Sequence, residues 1–327
     1  MVYAIVGLLL VPILTILILR YSIKRTTFCK STRRLTGKTI LITGGNCGIG
    51  REVALDLAKR GGRVIIACRN KERGRAAVEQ IKLATNNQDV FFRILDLASL
   101  SSIRDFARDF NQEEARLDIL INNAAYLGPK DVTADNFERT MGVNYIGHFL
   151  LFNLLLDKLK HSAPCRVVNV LSDSYGIGHI DTDDLNGSFV KYDSYSMYGT
   201  SKLAILLFTM EADKSFKDEG ITSYAVHPGA TNTSLLRNWP GVFGTVLRLV
   251  AMILFRSPVE GAQSIINTAV IGGIEEFSGK LFYDCKVIEL DHKCSKQLYK
   301  ASMLWKATEA LCETNKPITQ DEEKKEI

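Results

Sequence analysis

The chain has 327 residues, 46% of them apolar and 24% charged, which are proportions of a globular protein and exclude a disordered or collagenous one. The formal net charge is +5, from 41 Lys and Arg against 36 Asp and Glu. Seven basic residues (Arg20, Lys24, Arg25, Lys30, Arg33, Arg34, Lys38) and no acid fall within residues 1–38, so the remainder carries a net charge of only −2. A near-neutral body argues against a nucleic-acid-binding face.

Residues 1–19 contain no charged side chain. As a helix they reach about 28 Å, close to the ~30 Å hydrocarbon core of a bilayer. No basic stretch precedes them and no small-residue cleavage site follows, so a transmembrane signal-anchor is expected rather than a cleaved signal peptide. The basic residues behind it form a juxtamembrane linker over 20–37. By the positive-inside rule they place everything after residue 20 in the cytosol, facing anionic lipid. Seven scattered cysteines with no CxxC pair signal neither a disulfide framework nor a zinc site. The sequons at Asn186 and Asn232 are expected to stay unmodified on the cytosolic side.

From Lys38 the chain alternates. Short β-branched runs (KTILITG, RVIIAC, VFFRIL, LDILIN, RVVNVL, ITSYAV) are separated by segments with helical spacing. This pattern predicts a parallel sheet covered on both faces, with right-handed crossovers. No linker divides the body, so residues 38–312 read as one domain, followed by a polar tail over 313–327.

The first strand runs into TGGNCGIG, with Gly44, Gly48, Ile49 and Gly50, and a helix follows. Glycines there allow a tight turn and close approach of a pyrophosphate to the helix N-terminus, although a plain tight turn reads the same. The second strand ends at Arg69, where NAD-binding folds usually carry an acid. A guanidinium there can pair with a 2′-phosphate, which favours NADP(H). Further on, Tyr198 and Lys202 share one face of an apolar helix. An adjacent ammonium is expected to lower the phenol from its ordinary value near ~10 and tune it as a general acid and base. A second TyrxxxLys, Tyr126 with Lys130, encloses Gly128-Pro129 and is not expected to be helical.

These motifs, taken in order with DLAS, NNAA, GVNYIGHF, VVNVLSDS, YGTSK and HPGATNT, resemble the short-chain dehydrogenase/reductase family over residues 36–310. The resemblance implies a doubly wound, Rossmann-type parallel sheet of about seven strands. It implies a catalytic tetrad at Asn144, Ser172, Tyr198 and Lys202, with Asn144 positioning water in the proton relay. It further implies that Asp96 and Leu97 border the adenine. Asn123, Ala124 and Ala125 would line the cofactor cleft, and Pro228, Gly229 and Thr231 would lie beside the nicotinamide. Cys47, Tyr126, Leu171 and Asp173 depart from the usual pattern.

ACRNKERG, the long spacing from Ser172 to Tyr198, SYAVHPG and SGKLFYDC look like the microsomal, NADP(H)-preferring retinol dehydrogenase branch. That implies interconversion of retinol and retinaldehyde at the endoplasmic reticulum membrane or lipid droplets, with reduction favoured. Steroids, fatty aldehydes or xenobiotic carbonyls are the alternative substrates, and a non-catalytic membrane scaffold is a third reading. Residues 242–255 (VFGTVLRLVAMILF) carry one charge, Arg248, and are too short to span a bilayer. They read equally as a membrane-dipping lid or a buried helix. The oligomeric state, a homo-oligomer included, is left open.

Overall fold

The computed structural model describes residue 20 and residues 25–188, 191–233, 235, 238 and 241–314. The anchor expected over 1–19 and nearly all of the tail over 313–327 lie outside the described residues. Among the described residues no helix is long and apolar enough to cross a membrane.

Among the described residues eight strands occur in chain order: β1 (Thr39–Thr43), β2 (Arg63–Cys68), β3 (Val90–Ile94), β4 (Ile119–Asn122), β5 (Cys165–Val170), β6 (Ile221–His227), β7 (Leu281–Tyr283) and β8 (Lys286–Ile288). They form one sheet in the order β3-β2-β1-β4-β5-β6-β7-β8. The six apolar runs read from the sequence are the first six strands. β1 pairs in parallel with both β2 and β4, so the strand order reverses there and opens a crevice beyond the strand ends.

The sheet exceeds the expected seven strands by one, because β8 runs antiparallel to β7. Asp284 and Cys285, both at positive φ (49° and 63°), form the two-residue hairpin turn between them. Such turns usually announce themselves by Asn-Gly or Asp-Gly, and Asp-Cys carries no such signal.

The principal helices are α1 (Gly48–Lys59), α2 (Lys71–Thr85), α3 (Leu100–Glu113), α4 (Gly147–Leu154), α5 (Ser194–Phe216), α6 (Gly241–Leu254), α7 (Pro258–Val270) and α8 (Ala301–Thr314). Their starts follow local chemistry. Asn70, Ser99 and Asp193 accept backbone N–H bonds at the starts of α2, α3 and α5. Ser257 and Glu260 form a capping box around Pro258 at the start of α7, each device satisfying otherwise orphaned donors. Both faces of the sheet are buried. Ile40, Ile42, Val64 and Ile66 pack with Val53 and Leu57 of α1, Val78 of α2 and Ile265 of α7. The alternate residues Leu41 and Ile65 pack with Phe106 of α3, Phe149 of α4 and Leu206 of α5. An aromatic cluster ties α8 in: Trp305 lies 4.9 Å from Phe149 and 5.6 Å from Phe208 between ring centroids.

The expectation of a linker through residue 37 needs correction. From residue 25 the segment is a strap docked on the body. Thr27 N and Oγ1 donate to the two carboxylate oxygens of Asp284 (2.8 and 2.7 Å). Cys29 N donates to Gln263 (3.1 Å), Arg60 donates to the Ser31 carbonyl (2.7 Å), and Leu35 is buried in the core. Charge alone did not reveal this because the strap's own contacts are backbone amides and carbonyls, the Thr27 hydroxyl and Leu35, with partners far along the chain.

Candidate active site

A cavity of about 940 Å³ opens at the C-terminal ends of β1, β2, β4, β5 and β6. Every expected cofactor-contacting residue borders it: Gly44, Gly48, Ile49, Gly50, Arg69, Asp96, Leu97, Asn123, Ala124, Ala125, Tyr198, Lys202, Pro228, Gly229 and Thr231. Ser172 borders it as well.

The glycine turn is tight for a steric reason. A Cβ at Gly50 would sit 2.6 Å from the Gly44 carbonyl oxygen and 2.5 Å from Asn123 Nδ2, so only glycine lets α1 start against β1. Cys47 makes no side-chain cap, and the first turn of α1 contains no acid. The amides and positive dipole end of α1 therefore meet the cavity uncompensated by a carboxylate, as an anion site requires. Arg69 is exposed at the cavity, and so is Arg73, a residue missed in the sequence reading. Its position three residues past the Asn70 cap puts it on the first turn of α2, beside the end of β2. Two guanidiniums and the amides of a helix N-terminus, as donors to phosphate, with the carboxylate of Asp96 as an acceptor for a hydroxyl or amine, form a set that fits a phosphorylated dinucleotide.

The turn after β4 is stapled to β1. Thr43 Oγ1 accepts from the amides of Asn123 (2.9 Å) and Ala124 (3.0 Å), and Asn123 Nδ2 donates to the Thr43 carbonyl (2.9 Å). On the other side of the cleft Thr231 Oγ1 donates to the Gly229 carbonyl (3.0 Å), fixing the loop after β6.

The reacting end is built by α5. Gly199 is in close contact with the turn after β5, because a Cβ there would lie 2.6 Å from the Ser174 carbonyl. This contact brings Tyr198 to Ser172, to which its hydroxyl is hydrogen-bonded. Ser172 Oγ also donates to Asp173 Oδ1 (3.0 Å) and accepts from Ser174 N (3.4 Å). Lys202 is buried, with Nζ donating to the Val170 carbonyl (2.9 Å) and lying 5.5 Å from the Tyr198 ring centroid.

The expected lowering of the Tyr198 pKa is not what the site produces. Burial pushes the phenol up. The Ser172 hydrogen bond pulls it down, and the nearby Asp173 and Tyr195 push it up further. Burial lowers Lys202 to about 7, so at neutral pH its ammonium is only partly populated and is already spent on a carbonyl. The lysine therefore supplies little positive field to the phenol in this state.

Asn144 is not brought to the cavity. It sits in a π-helical turn, Gly142–Ile146, just before α4, and is fully buried. Its Oδ1 accepts from Tyr126 N (2.7 Å), while Nδ2 donates to the Tyr126 carbonyl (3.0 Å) and Ser201 Oγ (2.9 Å). Its amide braces the backbone of Tyr126. The Tyr126–Lys130 stretch is non-helical, in line with its glycine and proline.

A family profile described as short chain dehydrogenase matches residues 38–241. The mouse retinol dehydrogenase 13 is 48% identical over 259 residues, 78% of each chain. The mouse retinol dehydrogenase 11 is 43% identical over 281 residues, 85% of this chain and 87% of its own. A Pseudomonas aeruginosa protein, RhlG, solved as an NADP active-site complex, is 28% identical, with a TM-score of 0.60 over 76% of this chain and 95% of its own. Together with the dinucleotide-shaped cleft and the Ser172–Tyr198–Lys202 cluster, these matches establish that the chain belongs to the short-chain dehydrogenase family and is an oxidoreductase using a nicotinamide cofactor.

Proposed function

We propose that this chain is a membrane-held, NADPH-dependent reductase that converts retinaldehyde to retinol. The observation that carries the reading is the junction of two surfaces in one cavity. Ser172, Tyr198 and Lys202 line it, and Leu235, Leu247, Val250 and Phe255 contribute apolar lining to the same cavity. A long apolar aldehyde suits that lining, and the names of the related retinol dehydrogenases support the retinoid.

When bound, the nicotinamide supplies hydride. The chain's own residues do the rest. Tyr198 donates its proton to the carbonyl oxygen, and burial, by holding the phenol protonated, suits it to that role. Ser172 gives up its bond to Asp173 and turns its hydroxyl proton to the same oxygen. Lys202 and the stapled Asn123–Ala124 turn hold the cofactor's sugar edge in register. Arg69 and Arg73 receive the 2′-phosphate, which favours NADPH, and a largely reduced cytosolic pool then drives reduction.

The charge-free residues 1–19 and the basic residues behind them support membrane anchorage facing the cytosol, and the proposed site is the endoplasmic reticulum membrane or lipid droplets. The test uses the full chain in membranes, supplied with NADPH or NADH and with retinal, nonanal or a ketosteroid. Turnover of retinal with NADPH is expected. Preference for NADH, or turnover of the ketosteroid alone, sinks the reading. Retention of near-normal turnover by Tyr198→Phe removes its catalytic basis.

A further inference from the structure

We infer that the outer face of α6 lies in the surface of a lipid bilayer, and that the strap over residues 25–29 holds it there. The inference rests on the membrane placement proposed above and adds which surface touches lipid. Large apolar side chains are exposed along one stripe of α6. Val242 (81% exposed), Val246, Leu249 and Ile253 follow helical spacing, with Met252 beside them. Leu247, half-buried, and Val250, which is still 41% exposed, border the cavity, and Ala251 is buried. One thin helix therefore separates the cavity from an unpartnered apolar surface. Two further large apolar residues are exposed nearby in the chain or on the strap, Val259 in the first turn of α7 and Phe28. Exposed apolar patches of this size mark interaction surfaces. Arg248, whose guanidinium donates to Thr245 Oγ1 (3.0 Å), is the helix's single charge and can snorkel to headgroups.

The occupant is argued from where the chain leads. Arg256, two residues beyond α6, is buried. Its guanidinium donates to the carbonyl of Arg25, to Tyr283 Oη (3.2 Å) and to Asp284 Oδ1 (3.4 Å). It also reaches the Pro228 carbonyl (3.4 Å), and its own backbone N donates to the Ala230 carbonyl (2.8 Å). Asp284 in turn accepts both donors of Thr27. One buried cation thus joins the strap, the sheet edge and the loop beside the reacting centre at the foot of α6. Only residues 20–24 separate Arg25 from the uncharged apolar segment 1–19. Six Cα steps reach at most about 20 Å. A bilayer that takes up residues 1–19 therefore comes within that distance of Arg25, which is bound to Arg256 at the foot of α6, and an apolar aldehyde can enter from lipid across Leu247 and Val250 without crossing water.

The experiment reconstitutes the full chain in phosphatidylcholine–phosphatidylserine vesicles containing a diazirine-tailed phosphatidylcholine. After illumination, lipid adducts are mapped by mass spectrometry. Adducts at Val246, Leu249, Met252, Ile253 and Phe28 are expected, and a roughly fivefold loss of adducts on 241–254 in the double variant Leu249→Asp, Ile253→Asp. The variant should also raise the KM for vesicle-borne retinal roughly tenfold, yet leave turnover of detergent-dispersed retinal unchanged. Membrane-bound protein with no adducts on α6 overturns the inference and leaves the membrane reading standing. Protein–protein crosslinks through the stripe, with a dimer in detergent, overturn it in favour of a second copy. The mapping needs no turnover, so an error in the assigned substrate does not mask the result.

Discussion

His148 Nε2 lies 2.9 Å from Thr43 Oγ1, and the direction of that hydrogen bond is determined by its neighbours. The other ring nitrogen, Nδ1, faces the Asn144 carbonyl at 2.9 Å. A carbonyl can only accept, so Nδ1 carries the proton and Nε2 accepts from Thr43. The hydroxyl proton of Thr43 is thereby committed, and its lone pairs face the amides of Asn123 and Ala124. A buried histidine thus links the π turn before α4 to the turn that lines the cofactor cleft.

His148→Phe should therefore loosen that turn. Leaving buried partners unsatisfied costs about 1–3 kcal/mol, read as a fall in urea stability. NADPH affinity, measured by fluorescence titration, should fall roughly tenfold if most of that loss is felt at the cleft. His148→Asn, which can still donate and accept, should recover part of both. Undiminished NADPH binding by the Phe variant rules out this positioning role.

Burial lowers His148 to about 4, and His227 to about 4 as well. Unfolded histidines titrate near ~6.5. Between those values the unfolded chain binds more protons, so stability falls as pH drops from about 6.5 to about 4 and levels off below. Each histidine accounts for about 3 kcal/mol across that window. Thermal melts at pH 7, 6, 5 and 4 should trace the decline, and His148→Asn should flatten it.

Lys202 presents the opposite economy of function and stability. Burial lowers it to about 7 from an unfolded value near ~10.4, so the fold gains stability as pH rises between the two. Lys202→Met should stabilise the protein at pH 7 by about 1–2 kcal/mol, and that advantage should fade by about pH 10. Turnover should drop roughly a hundredfold or more, because the cofactor's sugar loses its cation. A destabilised Met variant at pH 7 contradicts this account of the buried amine.

Asp173 departs from the family pattern and holds the Ser172 proton at 3.0 Å. Its charge also pushes Tyr198 upward. Asp173→Ala should free Ser172 for substrate and raise kcat/KM for the aldehyde by roughly threefold, the worth of one exposed hydrogen bond. The same change should move the ascending, acid-side limb of the pH–rate profile in the oxidative direction to lower pH. Profiles that superimpose on those of the unaltered enzyme rule out an effect of Asp173 on the phenol.

Gly199 is the contact point between α5 and the turn that carries Ser172. Gly199→Val should cost about 1–3 kcal/mol by overpacking against Ser174 and Ile177. It should reduce kcat far more than NADPH affinity, because it separates Tyr198 from Ser172 and leaves the α1 end of the cleft untouched. Equal losses in both quantities point to a global disturbance.

The first six strands were legible because each is a β-branched run with both faces buried, a pattern local to five or six residues. The glycine turn, Arg69, Tyr198 and Lys202 were legible because each sits at a strand end or on one helix turn, so short-range spacing points to it; Ser172 was implied only by the resemblance to the family. The hairpin at Asp284–Cys285, Arg73 at the cavity and the docked strap were not, since none has a local signature. The strap is held by backbone amides and by Asp284, 257 residues away from Thr27.

Residue order is thus enough to establish the alternating sheet, the charge-free N-terminus with its basic collar, and which side chains are available for hydride chemistry. It cannot establish their electrostatic state or their orientation, because both depend on distant partners and on burial. Only the folded chain turns Asn144 inward onto Tyr126 and Ser201, aims Ser172 at Asp173, and raises Tyr198 while lowering Lys202. The same holds for α6: its apolar composition is visible in the chain, but the division into a cavity-lining side and an exposed stripe follows from how the helix packs. Dielectric environment and packing are properties of three-dimensional contact, and spacing along the chain does not encode them.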